Sequence, residues 1–129
     1  MKKTIFIVDD SDSNLSLARD ALKGHYKVLT MASSEKMFSL LEKIRADIIL
    51  LDVEMPEMGG FEAIGRLKKD FGEIPVIFLT SHRDAGTEAK CFEFGAVDFV
   101  SKPFKAEGLL KRVQTQIKIM EITGDGGMF

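Results

Sequence analysis

Five short apolar runs are distributed along the chain, at residues 4–8, 26–31, 47–51, 75–79 and 97–100. Four of them are almost continuously hydrophobic, which is typical of strands covered on both faces of a sheet. The run 26–31 differs because it also contains Lys27 and Thr30, and this mixture favours an edge strand. The pattern therefore predicts five strands, one of them at an edge.

The segments between these runs repeat apolar residues at helical spacing. One stripe, Met37–Leu40–Leu41–Ile44, follows Ser33 and Ser34, which are both candidate N-caps. The same spacing recurs in three further stripes: Leu15, Ala18 and Leu22 before Gly24; Phe61, Ile64, Leu67 and Phe71 before Gly72; and Leu110, Val113, Ile117 and Met120. A fourth helix is expected at about residues 84–94. Alternating strands and helices predict an α/β fold with a parallel sheet covered by helices on both faces.

Composition narrows the class of protein. The chain has 129 residues, 45% of them apolar and 29% charged, as expected of one globular domain. The net charge of −2 comes from interspersed charges of both signs, so we predict no direct contact with nucleic acid. Cys91 is the only cysteine, which excludes an internal disulfide and a cysteine-based zinc site.

The ends of the chain lead to further expectations. The first apolar run is only five residues long, too short for a signal peptide or a membrane span, so we predict a cytoplasmic protein without membrane contact. The domain is expected to cover residues 1–122. The glycine-rich end, within residues 123–129, is expected to be a flexible tail or the start of a linker.

Polar residues follow four of the five runs. Because parallel strands point the same way, the residues after them gather at one edge of the sheet, where ligands bind in open α/β folds. These residues are Asp9 and Asp10, Asp52, Thr80 and Ser81, and Ser101, Lys102 and Pro103. Three carboxylates, several hydroxyls and one ammonium are thus predicted to meet in a small volume.

Such a cluster of acids needs positive charge, because neighbouring carboxylates raise one another's pKa. Lys102 supplies one charge, and a hard divalent cation, Mg²⁺ or Mn²⁺, would supply the rest. A site of this composition suits phosphoryl transfer, with a carboxylate as the nucleophile. The Thr80 hydroxyl would then face a phosphoryl oxygen.

Four segments in the same order resemble a known family: VDD (8–10), DVEMPEMGG (52–60), LTS (79–81) and DFVSKPF (98–104). The chain is similar, over about residues 3–121, to response-regulator receiver domains of the chemotaxis-regulator type. The resemblance implies a doubly wound, flavodoxin-like (βα)5 sheet of strand order 2-1-3-4-5. It also implies that Asp52 accepts a phosphoryl group from a histidine kinase or a histidine phosphotransfer protein.

The resemblance implies a metal site as well. Asp10 and Asp52 would ligate Mg²⁺ together with the backbone carbonyl of Glu54, and Asp9 would act mostly through water. In this family the domain catalyses its own phosphorylation and dephosphorylation and is not a stand-alone metabolic enzyme. The output domain or target protein is not implied, and a phosphorylation-dependent dimer stays open.

The remaining roles implied by the resemblance concern the switch. Lys102 would pair with the phosphoryl group, Thr80 would be the switch hydroxyl, and Phe99 would be the aromatic side chain that rotates. The peptide bond before Pro103 falls where the family has a cis bond. The face formed by the fourth helix, the fifth strand and the fifth helix would then carry the signal.

Several other side chains give separate predictions. Glu54 and His82, each two residues past a site residue, are expected to flank the entrance and to set the lifetime of the phosphoryl group. Cys91 is expected to be a packing residue, and at least one of Phe92 and Phe94 is expected to face outward. A calcium loop starting at Asp10 is excluded, since its sixth and twelfth positions are Leu15 and Ala21.

Two other functions use similar sequence features. An aspartate-nucleophile phosphatase also places Asp at a strand end and Thr and Lys later, but usually in a larger chain with further acidic residues. A flavin carrier shares the topology, but the first loop, DDSDSN (9–14), is acidic where a flavin phosphate needs donors. The receiver domain explains more of the motifs than either alternative.

Overall fold

The computed structural model of the chain describes residues 2–82 and 84–124. Over these residues the strands are β1 (Thr4–Val8), β2 (Lys27–Met31), β3 (Ile48–Asp52), β4 (Val76–Thr80) and β5 (Asp98–Ser101). The helices are α1 (Asp12–Leu22), α2 (Ser34–Leu41), α3 (Gly60–Phe71), α4 (Ala85–Glu93) and α5 (Ala106–Gly124). All paired strands are parallel, in the order β2-β1-β3-β4-β5, which confirms the predicted fold.

The sheet separates two apolar layers. Alternate side chains of β1, such as Phe6 and Ile7, enter opposite layers, because successive residues of a strand point to opposite faces. One layer packs against α2, α3 and α4, and the other packs against α1 and α5. The central strands β1, β3 and β4 are therefore buried almost along their whole length, as their continuous hydrophobic runs predict.

The fifth run does not fit that prediction. It was expected to be covered on both faces, yet every residue of β5 is partly exposed, and Val97 just before it is 39% exposed. The reason is its position, because β5 pairs with β4 and forms the second edge of the sheet. The strand β2 lies at the other edge, as its mixed composition predicts.

The helix ends refine several boundaries. Ser33 is the N-cap of α2 and accepts a hydrogen bond from Lys36 N at 3.2 Å, whereas Ser34 is the first helical residue and is buried. Gly72 ends α3 with a φ of +77°, a conformation that glycine adopts without strain. The last helix reaches Gly124 and so includes the first two residues of the predicted tail, and the rest of that tail lies outside the described residues.

No helix in the described ranges combines the length and the apolar character that crossing a bilayer requires.

Candidate functional site

Two neighbouring strands place three carboxylates together. Asp9 and Asp10 follow β1, and Asp52 ends β3, which pairs with β1 in parallel register. One oxygen from each of the three side chains lies within 4.8 Å of the others. Asp9 and Asp52 are buried, whereas Asp10 is exposed, so the cluster opens to solvent on the side of Asp10. The convergence of acids at the sheet edge is therefore as the strand ends predict.

Lys102 brings a positive charge to the buried pair. Its Nζ lies 3.0 Å from Asp9 Oδ2 and 3.0 Å from Asp52 Oδ1. The backbone N–H of Lys102 donates to Thr80 O at 2.7 Å, which joins the end of β5 to the end of β4. The peptide bond between Lys102 and Pro103 is cis. One ammonium is thus shared by two buried carboxylates.

One ammonium cannot balance the charge of two buried carboxylates. Burial raises the pKa of Asp52, Lys102 lowers it, and the charge of Asp9 raises it again, with a net result of about 6. Burial lowers the pKa of Lys102, but its contacts with Asp52 and Asp9 outweigh burial, so the net pKa of Lys102 is raised. The contact with Lys102 thus favours both charged forms, but burial and the charge of Asp9 outweigh it at Asp52.

The oxygens of the cluster fit a hard cation. Asp9 Oδ1 accepts a hydrogen bond from Ser11 N at 2.9 Å, and Asp52 Oδ1 accepts one from Glu54 N at 3.1 Å. Asp9 Oδ2 is buried and accepts no hydrogen bond from the described residues, although it lies in ion-pair contact with Lys102. Three carboxylates with one oxygen each within 4.8 Å of the others form a set of hard oxygen donors of the kind that Mg²⁺ and Mn²⁺ prefer.

The start of α3 packs closely against the end of β3, next to the acidic cluster. A side chain at Gly60 would place its Cβ 2.7 Å from Asp52 O and 2.9 Å from the Phe78 ring, so α3 can begin here only with glycine. The first residue of α3 lies directly against the end of β3, beside Asp52.

The proposed switch residues lie at the ends of β4 and in β5. Thr80 is fully buried, and its Oγ1 accepts a hydrogen bond from His82 N at 3.0 Å. Phe99 is half-buried, and its ring meets that of Phe92 edge to face, with centroids 6.0 Å apart. The ring of Phe92 is therefore the exposed neighbour of Phe99 on α4.

Two expectations about α4 are confirmed. Phe92 and Phe94 are both exposed, at 47% and 39%, and Phe94 also contacts Phe61 of α3 with ring centroids 4.9 Å apart. Cys91 is fully buried in the core, as a packing residue should be. Phe92 in α4 and Phe94 at its C-cap are therefore partly exposed aromatic side chains, which contact Phe99 and Phe61 respectively.

Glu54 and His82 form a contact that sequence reasoning missed. Each was expected near the entrance separately, but Glu54 Oε2 lies 2.5 Å from His82 Nε2, with both side chains about half exposed. The pair joins the loop after β3 to the loop after β4. Their separation of 28 residues left no periodic signal that could have indicated the contact.

Two further contacts were also missed. Ser34, expected only as a candidate cap, donates its hydroxyl to Met58 O at 3.0 Å. Arg112 Nη1 lies 2.7 and 2.9 Å from the two carboxylate oxygens of Asp98, which ties α5 to β5. The sequence shows that Arg112 and Asp98 are charged, but their spacing of 14 residues does not indicate that they form an ion pair.

Comparisons with known proteins place this geometry in a family. The chain is 38% identical over 117 residues to a probable cyclic di-GMP phosphodiesterase of Vibrio cholerae serotype O1, covering 89% of this chain and 26% of that protein. It is 34% identical over 116 residues to the heme response regulator HssR of Staphylococcus saprophyticus, covering 89% of this chain and 51% of that protein. The chain thus spans about half, or less, of the curated relatives named here.

Solved structures show the same likeness. The BeF3-activated receiver domain of DrrB is 32% identical, with a TM-score of 0.84, over 92% of this chain and 99% of that one. The Vibrio cholerae chemotaxis response regulator CheY4 is 30% identical, with a TM-score of 0.83, over 89% and 98%. The family model of the response regulator receiver domain matches residues 5–114. With its parallel sheet and acidic strand ends, the chain belongs to the response regulator receiver domain family of two-component signalling.

Proposed function

We propose that Asp52 is the phosphoacceptor of this receiver domain, in a reaction that depends on Mg²⁺ or Mn²⁺. The phosphoryl donor is a histidine kinase or a histidine phosphotransfer protein. The observation that carries the proposal is the position of the Asp52 carboxylate, buried at a strand end, in contact with Lys102 and within 4.8 Å of two further acids. The domain serves signalling, and we propose that it is not a stand-alone metabolic enzyme.

The transfer itself exchanges one bond for another. A carboxylate oxygen of Asp52 attacks phosphorus, and the phosphorus–nitrogen bond of the donor phosphohistidine breaks. The electron pair of that bond returns to the imidazole nitrogen, which then takes up a proton. Glu54 N and Lys102 Nζ both contact Asp52 Oδ1, so we propose Oδ2 as the attacking oxygen. Lys102 remains beside the product and pairs with the transferred group.

The chain offers oxygen ligands for the cation, and water would complete its coordination. We propose that Asp10, Asp52 and the backbone carbonyl of Glu54 ligate it, and that Asp9 acts through water. When bound, the cation neutralises the phosphoryl oxygens and the crowded carboxylates. Asp10, as the exposed member of the cluster, stands on the side from which a partner would approach.

We propose that the signal passes through Thr80 and Phe99 to the face made by α4, β5 and α5. A phosphoryl group adds about 1.5 to 2 negative charges beside Thr80, whose hydroxyl can donate to it. Phe99 then turns inward and leaves its edge-to-face contact with Phe92. The Asp98–Arg112 ion pair lies on the same face and would respond to that movement.

The partners follow from the family and from the relatives' length. Since the relatives extend well beyond the matched region, we propose an output domain in the same protein or a separate target protein as the reader of the switch face. The acceptor would meet the kinase or phosphotransfer protein at the open, acidic edge. Dimerisation on phosphorylation stays a prediction without a structural test.

Acetyl phosphate or phosphoramidate tests the acceptor without a kinase. With Mg²⁺, the intact mass is expected to rise by one phosphoryl group in the wild type and in the surface control Asp20→Asn, but not in Asp52→Asn. EDTA should abolish the gain. Absence of a mass gain in the wild type would falsify the assignment of Asp52.

The same preparation separates the alternative functions. Steady turnover of a generic phosphate ester would favour the aspartate-nucleophile phosphatase, and a yellow protein would favour the flavin carrier. We expect neither, because the acidic cluster and Lys102 fit one phosphoryl group held on Asp52.

The lifetime of that group is expected to depend on Glu54 and His82. Their contact bridges the two loops beside the site and restricts the approach of water to phosphorus. Replacing both with alanine should shorten the lifetime several-fold, measured as the decay of the phosphorylated mass after removal of the donor. The exposed residue Glu62 of α3 gives the matched control, Glu62→Ala, whose decay should equal that of the wild type. Equal lifetimes for all three proteins would remove the role of the pair.

A further inference from the structure

Ser34 is a buried polar residue outside the proposed machinery. Within the described residues the buried polar or charged side chains are Asp9, Asp52, Thr80 and Ser34, at 0%, 2%, 0% and 2% exposure. The first three belong to the site. The Ser34 hydroxyl instead donates to Met58 O at 3.0 Å, across 24 residues of sequence, and so joins the start of α2 to the loop between β3 and α3.

That loop includes Glu54, and a hydrogen bond between Val53 and Gly60 joins its two ends. Val53 N donates to Leu79 O at 3.0 Å, and Val53 O accepts a hydrogen bond from Gly60 N at 2.9 Å. Between Met55 and Met58, the bond from Ser34 is the hydrogen bond that ties the loop to another element in the described part of the chain. The side chains of Met55 and Met58 also pack on the core, but apolar contacts have no preferred direction, whereas a hydrogen bond orients a peptide group.

The backbone between Met58 and Glu54 is stiff. Pro56 has a φ restricted to about −65° by its ring. Glu57 has a φ of +67°, in the left-handed region that residues other than glycine seldom adopt. Because these two φ angles can change little, a rotation of the Met58 peptide also rotates the neighbouring peptide groups. The orientation at Met58 therefore affects the orientation of the carbonyl at Glu54.

We propose that Ser34 is a positioning residue for the metal site: its hydroxyl holds Met58 O, and through the stiff loop it orients the Glu54 carbonyl toward the cation. The inference rests on the proposed function, in which that carbonyl is a ligand. Ser34 touches neither the cation nor the phosphoryl group. Its effect is therefore on the affinity for the metal and on the order of the loop.

The neighbouring serine provides a matched control. Ser33 caps α2 through Lys36 N and makes no bond to the loop, so Ser33→Ala weakens the start of α2 without removing the bond to Met58 O. Ser34→Ala removes the hydroxyl, adds no volume, and places a good helix former at the first position of α2. Both variants are expected to fold.

Binding of Mn²⁺ by the full chain, followed by electron paramagnetic resonance, provides the first measurement. Ser34→Ala is expected to raise the dissociation constant about tenfold, as is typical when a residue that orients a ligand is lost. Ser33→Ala should bind as the wild type does. Equal affinity in Ser34→Ala and wild type, or an equal loss in both variants, would overturn the proposal.

Hydrogen exchange without metal gives a second measurement. Ser34→Ala should speed exchange at the backbone amides of residues 54–60 other than Pro56, whereas Ser33→Ala should speed it only at the start of α2. Unchanged exchange at residues 54–60 in Ser34→Ala would also contradict the inference. A wild type that neither binds Mn²⁺ nor gains a phosphoryl group would instead overturn the proposed function.

Discussion

Replacing Lys102 with methionine is expected to lower the free energy of unfolding by about 3 kcal/mol in metal-free buffer near pH 7. The Lys102 side chain is only 14% exposed, and its Nζ lies 3.0 Å from both Asp9 and Asp52. Without it, two buried carboxylates face each other with no cation in contact. Asp52 can limit the loss by taking up a proton, because its pKa is already raised to about 6. Urea denaturation followed by circular dichroism measures the change.

A lysine three residues further on provides the control. Lys105 is exposed, so Lys105→Met should change the free energy of unfolding by no more than about 0.5 kcal/mol. Adding Mg²⁺ should recover part of the loss in Lys102→Met, since a bound cation stabilises the folded state by mass action. If Lys102→Met is as stable as Lys105→Met, the ammonium does not hold the buried acids in the way that its distances indicate.

The pattern of apolar residues predicted where the strands lie along the chain, but it did not predict their order in the sheet. Continuous hydrophobicity marked β1, β3 and β4 correctly, because central parallel strands are covered on both faces. Hydrophobicity does not say which strands are neighbours, and the order 2-1-3-4-5 came from the resemblance. The partly exposed β5 shows the limit, since an apolar run can also belong to an edge strand. Phe99 packs partly on one core layer and Val100 packs partly on the other.

The contacts of the site also fall into two groups, one that the sequence could predict and one that it could not. Asp9, Asp52 and Lys102 could be placed together because strand ends in a parallel sheet share an edge, whatever path the loops take. The bond from Ser34 to Met58 and the contact between Glu54 and His82 depend on those loop paths. Hydrogen bonds between loops have no sequence period, so these contacts could be seen only in the folded chain.

Replacing Asp52 with asparagine is expected to stabilise the metal-free protein near neutral pH. The pKa of Asp52 is raised from 3.8 to about 6 in the folded state, first by burial, so the folded protein holds the proton more tightly than the unfolded chain. Ionised Asp52 therefore costs stability. The cost is absent below about pH 4, grows between pH 4 and 6, and is complete above about pH 6. At about 1.4 kcal/mol per pH unit, it reaches at most about 3 kcal/mol.

Asparagine keeps the oxygen that accepts a hydrogen bond but removes the negative charge. Its Oδ1 can still accept the hydrogen bond from Glu54 N, and Lys102 still has Asp9 as a charged partner. Urea denaturation in EDTA, from pH 4.5 to pH 8, should give a difference in unfolding free energy between Asp52→Asn and wild type that grows with pH. The exposed control Asp20→Asn should show no such growth, and Mg²⁺ should narrow the Asp52→Asn difference by stabilising the wild type. A destabilised Asp52→Asn at pH 8 without metal would mean that the Lys102 contact outweighs burial and the charge of Asp9, the reverse of the balance on which the metal site depends.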